Sequence, residues 1–304
     1  LKLVDQEVQE VMVVPSSYED TIKHIEKIGR ICYQSEGRIQ EGSAEKFVKM
    51  LFDKGHHPMI EHSWVVIKVT DPNEMFAIYD DGYYDSPFIK RTSIDDALYI
   101  YGNWRAFIDY FDRANDYEFF SKMPHIAVDH GLPNAVVLDT EDIPKELMAF
   151  TAIMKTDRAV THELVRHRPA SYAQESQRYV AYRDEVEFIK PAHYYGGLTD
   201  NEMEGFIRWE GLMRLIENHY KSLMKDFGES PQQARSVLPN CTATQIAITA
   251  DYEEFQHIYK LRTSAAAYPP IRELIKEVGY QILELTFWKG FDCACESFEG
   301  ENNE

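Results

Sequence analysis

Apolar residues recur at helical spacing in some stretches of the chain and run continuously or alternate in others. Ile22, Ile25, Ile28 and Ile31 share one face and predict a helix over ~18–33, with Ser17 as its cap. A second helix is predicted from Ser43 to Lys54, stopped by Gly55. Val160, Leu164 and Val165 form the stripe of a helix that begins near Arg158 under an Asp157 cap. Phe206, Trp209, Leu212, Met213, Ile216 and Tyr220 are placed on one side of a long helix over ~201–227. Ser230-Pro-Gln-Gln233 has capping-box spacing with proline at the first helical position, and the short helix it starts carries Arg235 and ends at Pro239. Asp251 to Glu254 repeats that spacing before a helix ending near Arg262, and a last helix is predicted over ~270–288. Strands are predicted at 8–14, 63–69, 147–154 and 242–250, and 177–189 reads as mainly extended.

Residues 71–146 are the least legible. They start acidic and aromatic, and a helix is predicted there over ~95–114, with the aromatics of 99–111 as core. No chemistry is visible in them.

Charge changes the picture at 166–179, RHRPASYAQESQRY. Arg166, Arg168 and Arg178 face one carboxylate, Glu175, inside a chain of formal net charge −19. Guanidinium suits a phosphate through its planar fork of donors. Glu163 and Arg166 share a helix face, Pro169 cannot continue that helix, and 171–177 is small and polar, as an anion-binding loop would be. A surface helix end with solvated arginines fits the same spacing. The GHHPMIEH segment invites a metal reading, but His57 and His62 lie about 140° apart on a helix with Pro58 between them, so no residue is assigned to a metal.

At 304 residues the chain can bury a large core as one domain or two. The absence of a long apolar run and of a basic-then-apolar N-terminus predicts neither a membrane span nor a signal peptide. The acidic balance argues against a general nucleic-acid surface. Cys32, Cys241, Cys293 and Cys295 make no zinc pattern; the last two read as incidental, and the usage predicts a reduced, cytoplasmic setting.

Arg166-His167-Arg168, seven residues, then Ser176 resembles the signature of the flavin-dependent thymidylate synthases. Further likenesses follow in order: Arg30-Ile-Cys-Tyr33, Gly55-His56 with Glu61-His62, His162-Glu163, Gln174 to Tyr179, Arg235 with Leu238-Pro239, and Leu261-Arg262. The resemblance covers 15–70 and 147–290. It implies an α/β (α+β) fold with a mixed, mainly antiparallel sheet flanked by helices, as one domain over 1–304 with an insertion at 71–146. It also implies reductive methylation of dUMP to dTMP, with FAD as hydride carrier and methylenetetrahydrofolate and NADPH as co-substrates. A classical synthase needs a cysteine directly after a proline, whereas Cys241 follows Asn240; the flavin route needs no such nucleophile.

By position, the resemblance assigns dUMP to Glu163, Arg166, Gln174, Glu175, Ser176, Gln177, Arg178, Arg235 and Arg262, with Ser176 and Arg178 on the phosphate. Arg262 is the catalytic candidate, set against the uracil. FAD falls to Cys32, Pro58, Glu61, Arg166, His167, Arg168, Gln174, Asp251 and His257, and folate to His56 and Tyr179. Ala173, Asp251 and Ala266 depart from residues common in the family and put individual flavin contacts in question. The family's homotetramers imply self-association, with Arg235 and Arg262 set beside a neighbouring chain's signature loop.

Overall fold

The computed structural model describes residues 1–80, 88–111, 117–121, 132 and 134–287. The expectations for Cys293 and Cys295, and for the acidic C-terminus, lie outside them.

β1 (Lys2–Val4) and β2 (Glu7–Val13) precede α1 (Tyr18–Ile31), where Ser17 caps the helix by accepting from Asp20 N. α2 (Ser43–Asp53) ends beside Gly55, whose φ of 66° is the left-handed conformation glycine adopts without strain. A tight turn, His57–Glu61, leads into β3 (Val65–Val69). Then come α3 (Pro72–Asp80), β4 (Ile89–Ile94), β5 (Ala97–Gly102), α4 (Trp104–Tyr110), α5 (Tyr117–Ser121) and β6 (Val136–Val137). β7 (Ala149–Asp157) feeds α6 (Arg158–Leu164), followed by β8 (Ser171–Gln174) and β9 (Glu187–Ile189). α7 (Asp200–Lys225), α8 (Pro231–Ala234), β10 (Ala243–Asp251), α9 (Tyr252–Arg262) and α10 (Pro269–Phe287) complete the described chain.

As expected, mainly antiparallel strands are flanked by helices; among the described residues they form three sheets rather than one. The central sheet runs β2-β7-β10-β8, antiparallel throughout, while β1 pairs with β9 in parallel. Side chains alternate across the central sheet, so each face packs separately. Phe150, Ala152, Met154, Ile246 and Ile248 meet the apolar faces of α9 and α10. Ile153, Ala173 and Ala247 meet Ile28 and Ile31 of α1.

The third sheet, β4-β5-β3-β6, is built mostly from the 71–146 segment. Here the expected helix over 95–114 is wrong. Its first part is a hairpin: β4 pairs with β5 across Asp95, whose φ is 51°. The apolar run 97–102 is buried at every position, and such a run has no period that separates strand from helix. Only from Trp104 does a helix form, where Asn103 Oδ1 accepts from Ala106 N at 2.8 Å. The aromatics are core as expected: Trp104 and Phe107 are fully buried among Ile25, Leu51 and Phe52 of α1 and α2. The inserted sheet therefore shares its core with the first two helices.

Smaller differences have equally local causes. Residues 171–174, expected as loop, form β8 because Ala173 turns inward while Ser171 to Gln174 pair with β10. Of 177–189 only β9 is strand, since Val180 N returns to Ser176 O in a turn. β1 was not expected at all; three residues carry too little periodicity to read. On α7, Leu212 points outward, 52% exposed, while Met213 and Tyr220 are buried.

Candidate functional site

Asp157 Oδ1 accepts from Val160 N at 2.8 Å and starts α6, which directs Glu163 and the turn after it towards α9. Arg262, the last residue of α9, reaches back to that turn. Its Nη1 lies 2.5 Å from Glu163 Oε2, its Nη2 donates to the Glu163 carbonyl at 3.1 Å, and its Nε donates to His167 Nε2 at 2.7 Å. The guanidinium is thus fixed on three sides. His167 is buried, and its ring lies edge-on to His257 at 6.2 Å between centroids. Burial, then the Arg262 and His257 charges, holds His167 down to about 4. It is a neutral acceptor.

Arg262 thus meets the signature turn of its own chain. His167 is turned inward onto Arg262.

The segment after the turn is anchored by hydrogen bonds. Gln174 Nε2 donates to Thr161 Oγ1 at 3.0 Å. Glu175 is buried: Tyr182 donates to its carboxylate, and Arg158 donates to its carbonyl at 2.9 Å. Burial pushes its carboxyl up. Ser176 N donates to the Cys32 carbonyl at 3.0 Å, which seats the segment on the end of α1. Burial of the Cys32 thiol pushes it up to about 11, so it is not a poised thiolate. Gln177 Nε2 is buried without a hydrogen-bond partner among the described residues. Arg178 Nε donates to Gln232 Oε1 at 3.1 Å, bringing α8 and the exposed Arg235 beside the segment.

A cleft of about 640 Å³ opens on the other side of the signature turn. Glu61, Arg168, Pro169, Ser171, Thr249 and Asp251 line it, together with the rings of Trp64 and Tyr172. Ser171 Oγ donates to Glu61 Oε2 at 3.2 Å. Burial pushes the Glu61 carboxyl up, while the Ser171 hydroxyl and the Arg105 guanidinium pull it back. Asp251 caps α9 with Oδ1 and pairs with Lys90 through Oδ2 at 2.6 Å. The size and lining suit a planar ring system with an anionic tail: flat apolar walls, and an exposed Arg168 with no carboxylate partner among the described residues.

The expected site residues therefore divide. Glu61, Arg168 and Asp251 line this cleft, while Glu175 lines a separate cavity of about 390 Å³ with Tyr182 and Lys155. Pro58 and His56 are exposed in the turn before Glu61. Tyr179, 60% exposed, lies against Tyr33 at 5.4 Å and under the Arg178 guanidinium. His57 packs on Phe52, and His62 Nδ1 bonds Thr249 Oγ1 at 2.7 Å. Among the described residues no three His, Cys, Asp or Glu side chains gather as metal ligands. Among the described residues no helix is long and apolar enough to cross a membrane.

Sequence reading missed Arg158, Tyr182 and the cleft residues from the insert. Arg158 directly follows the Asp157 cap and could have been flagged as a cation in an anion-binding neighbourhood. Tyr182 sits in a stretch without periodicity, and nothing in 88–109 points to a cleft.

The sequence profile described as "Thymidylate synthase complementing protein" matches residues 123–286. A relative from Pyrococcus abyssi, named flavin-dependent thymidylate synthase, is 32% identical over 184 residues, covering 60% of this chain and 71% of its own. The chain belongs to the flavin-dependent thymidylate synthase family. A second member of that family, from Thermococcus kodakarensis, is 35% identical over 184 residues with the same coverage. The crystal structure of the UMP/dUMP methylase PolB from Streptomyces cacaoi bound with 5-Br UMP aligns with 94% of this chain and 92% of its own. At a TM-score of 0.42 and 14% identity it bears on neither fold nor function.

Proposed function

We propose that the protein is a flavin-dependent thymidylate synthase: it converts dUMP to dTMP with methylenetetrahydrofolate as carbon donor, FAD as hydride carrier and NADPH as reductant. The observation that carries this reading is Arg262 held on Glu163 and His167 at the signature turn. Reduced FAD supplies the hydride.

The chain's own residues bind, orient and stabilise charge. Arg262 lies against the uracil and favours its N3-ionised form, because a guanidinium keeps its proton near neutral pH. Glu163 and neutral His167 aim it. Ser176 and Arg178 take the dUMP phosphate, with Arg166 and Arg235, both exposed and without carboxylate partners among the described residues, adding charge. Gln174, Glu175 and Gln177 shape that segment, and the orphaned Gln177 amide suits a ligand oxygen. Arg168, Glu61 and Asp251 hold the flavin in the cleft, with Pro58, Cys32 and His257 beside it. His56 and the exposed ring of Tyr179 face the folate.

The inserted sheet's core is continuous with α1 and α2, which supports one functional unit over 1–304. Self-association is supported by exposed apolar residues on α7: Ile207 and Leu215, about 80° apart around the helix, are 60% and 67% exposed. Such a pair is covered when a second copy packs on it.

The test is product formation from dUMP by flavin-stripped protein supplied with methylenetetrahydrofolate and NADPH. dTMP should appear only when FAD is restored. Binding of dUMP and FAD without turnover contradicts the reading and leaves a nucleotide-binding protein that has lost the chemistry.

A further inference from the structure

The inserted segment contributes a wall of the cleft. Phe88, Lys90, Asn103, Arg105, Ala106 and Asp109 line it from around β4 and α4, beside the signature turn and β10. Three salt bridges bear on how that wall works. Lys90 bridges to Asp251 at 2.6 Å and Glu253 at 3.0 Å, fastening the insert to the start of α9. Arg105, by contrast, is only lightly committed. Its Nε bonds Asp109 Oδ2 at 2.7 Å one helical turn on, in a pair open to solvent, and exposed pairs of this kind add little to stability. Its two terminal nitrogens have no hydrogen-bond partner among the described residues.

The cleft therefore presents two guanidiniums with donors unpartnered among the described residues, Arg168 from the signature turn and Arg105 from the insert. We propose that Arg105 is a further cofactor-binding residue, which with Arg168 clamps the phosphates of a flavin nucleotide against the apolar walls of this cleft. A phosphate offers the terminal nitrogens of the fork two oxygens at once, a bidentate pairing that the single Nε bond to Asp109 does not replace. Arg105 is a position the insert adds to the site, and the inference rests on the flavin-dependent reading above.

The test compares a flavin that carries phosphates with one that lacks them. FAD and riboflavin are titrated into flavin-stripped protein and followed by flavin fluorescence. Arg105→Gln weakens FAD by about tenfold or more, as loss of a charge-assisted bond implies, and leaves riboflavin unchanged. Asp109→Asn, which releases the guanidinium and removes a nearby negative charge, tightens FAD. The FAD effect of Arg105→Gln shrinks as salt is raised. Equal FAD affinity in Arg105→Gln and wild type overturns the inference, as does an equal loss for riboflavin, which would mark a packing defect. Wild-type protein that binds no flavin overturns the flavin-dependent reading itself and this inference with it.

Discussion

Arg262 donates from Nε to His167 Nε2 at 2.7 Å, which casts the histidine of the signature as an acceptor. Burial and the adjoining guanidinium keep that ring neutral near pH 7, so Arg262 is not facing a competing cation. The same guanidinium is braced by the Glu163 carboxylate and carbonyl. A side chain held this way loses little freedom when a substrate arrives, which is the condition for electrostatic stabilisation without reorganisation.

Replacing Arg262 with alanine removes that stabilisation and leaves the cleft beyond the turn untouched. Turnover should fall by about a hundredfold or more, the scale for losing one preorganised donor. Bound flavin, read from its absorbance, should remain. Near-normal turnover in this variant takes Arg262 out of the mechanism.

Ser176 accepts from Arg178 N at 3.2 Å, so its hydroxyl proton is available to a phosphate oxygen. Ser176→Ala should weaken dUMP binding by roughly 1–3 kcal/mol, the range for a hydrogen bond to a charged group. Calorimetric titration with dUMP checks it, and unchanged affinity counts against the phosphate role.

Two further histidines contribute to the loss of stability in acid. His24 bonds Thr151, Thr151 bonds Thr249 and Thr249 bonds His62 in a chain buried between α1, the central sheet and the turn before β3. Burial holds both rings down to about 3, against 6.5 in the unfolded chain. The unfolded chain therefore binds more protons below pH 6.5. The stability these rings contribute is complete above 6.5 and is lost as pH falls towards 3, by up to about 1.4 kcal/mol per pH unit for each ring. Urea midpoints at pH 7 and pH 5 check the slope. His62→Gln should flatten it, and a slope equal to wild type contradicts the assignment.

Leu215 and Ile207 on α7 are 67% and 60% exposed, so charging them costs the isolated fold little. The double substitution Ile207→Glu with Leu215→Glu should reduce the assembled mass in sedimentation velocity while leaving the helical circular dichroism intact. An unchanged mass contradicts a role for this face of α7 in self-association.

How far the sequence could be read depended on how local the physics was. Caps at Ser17, Asp157, Ser230 and Asp251 are side chains bonding backbone a few residues away, and all four starts were legible. Three strands of the central sheet, β2, β7 and β10, were legible too, because apolar runs bounded by turns have few alternatives, whereas the short polar β8 read as loop. The hairpin at 89–102 was not, since burial on both faces erased its period. The Arg166–Ser176 spacing pointed to an anion site, yet the partners of its members are set by tertiary contact. Nothing near His167 announces that Arg262, 95 positions away, occupies its ring nitrogen. Likewise, Arg105 looks like an ordinary helix arginine until the inserted sheet is folded against the signature turn.

The most direct test of the account is tritium release from dUMP labelled at C5, measured with methylenetetrahydrofolate and NADPH on flavin-stripped protein, with and without added FAD. Release should appear only with FAD and disappear in Arg262→Ala. Release that proceeds without any flavin would contradict it and turn attention to Cys241. No release despite bound FAD and dUMP would contradict it equally, leaving a protein that recognises the nucleotide without transforming it.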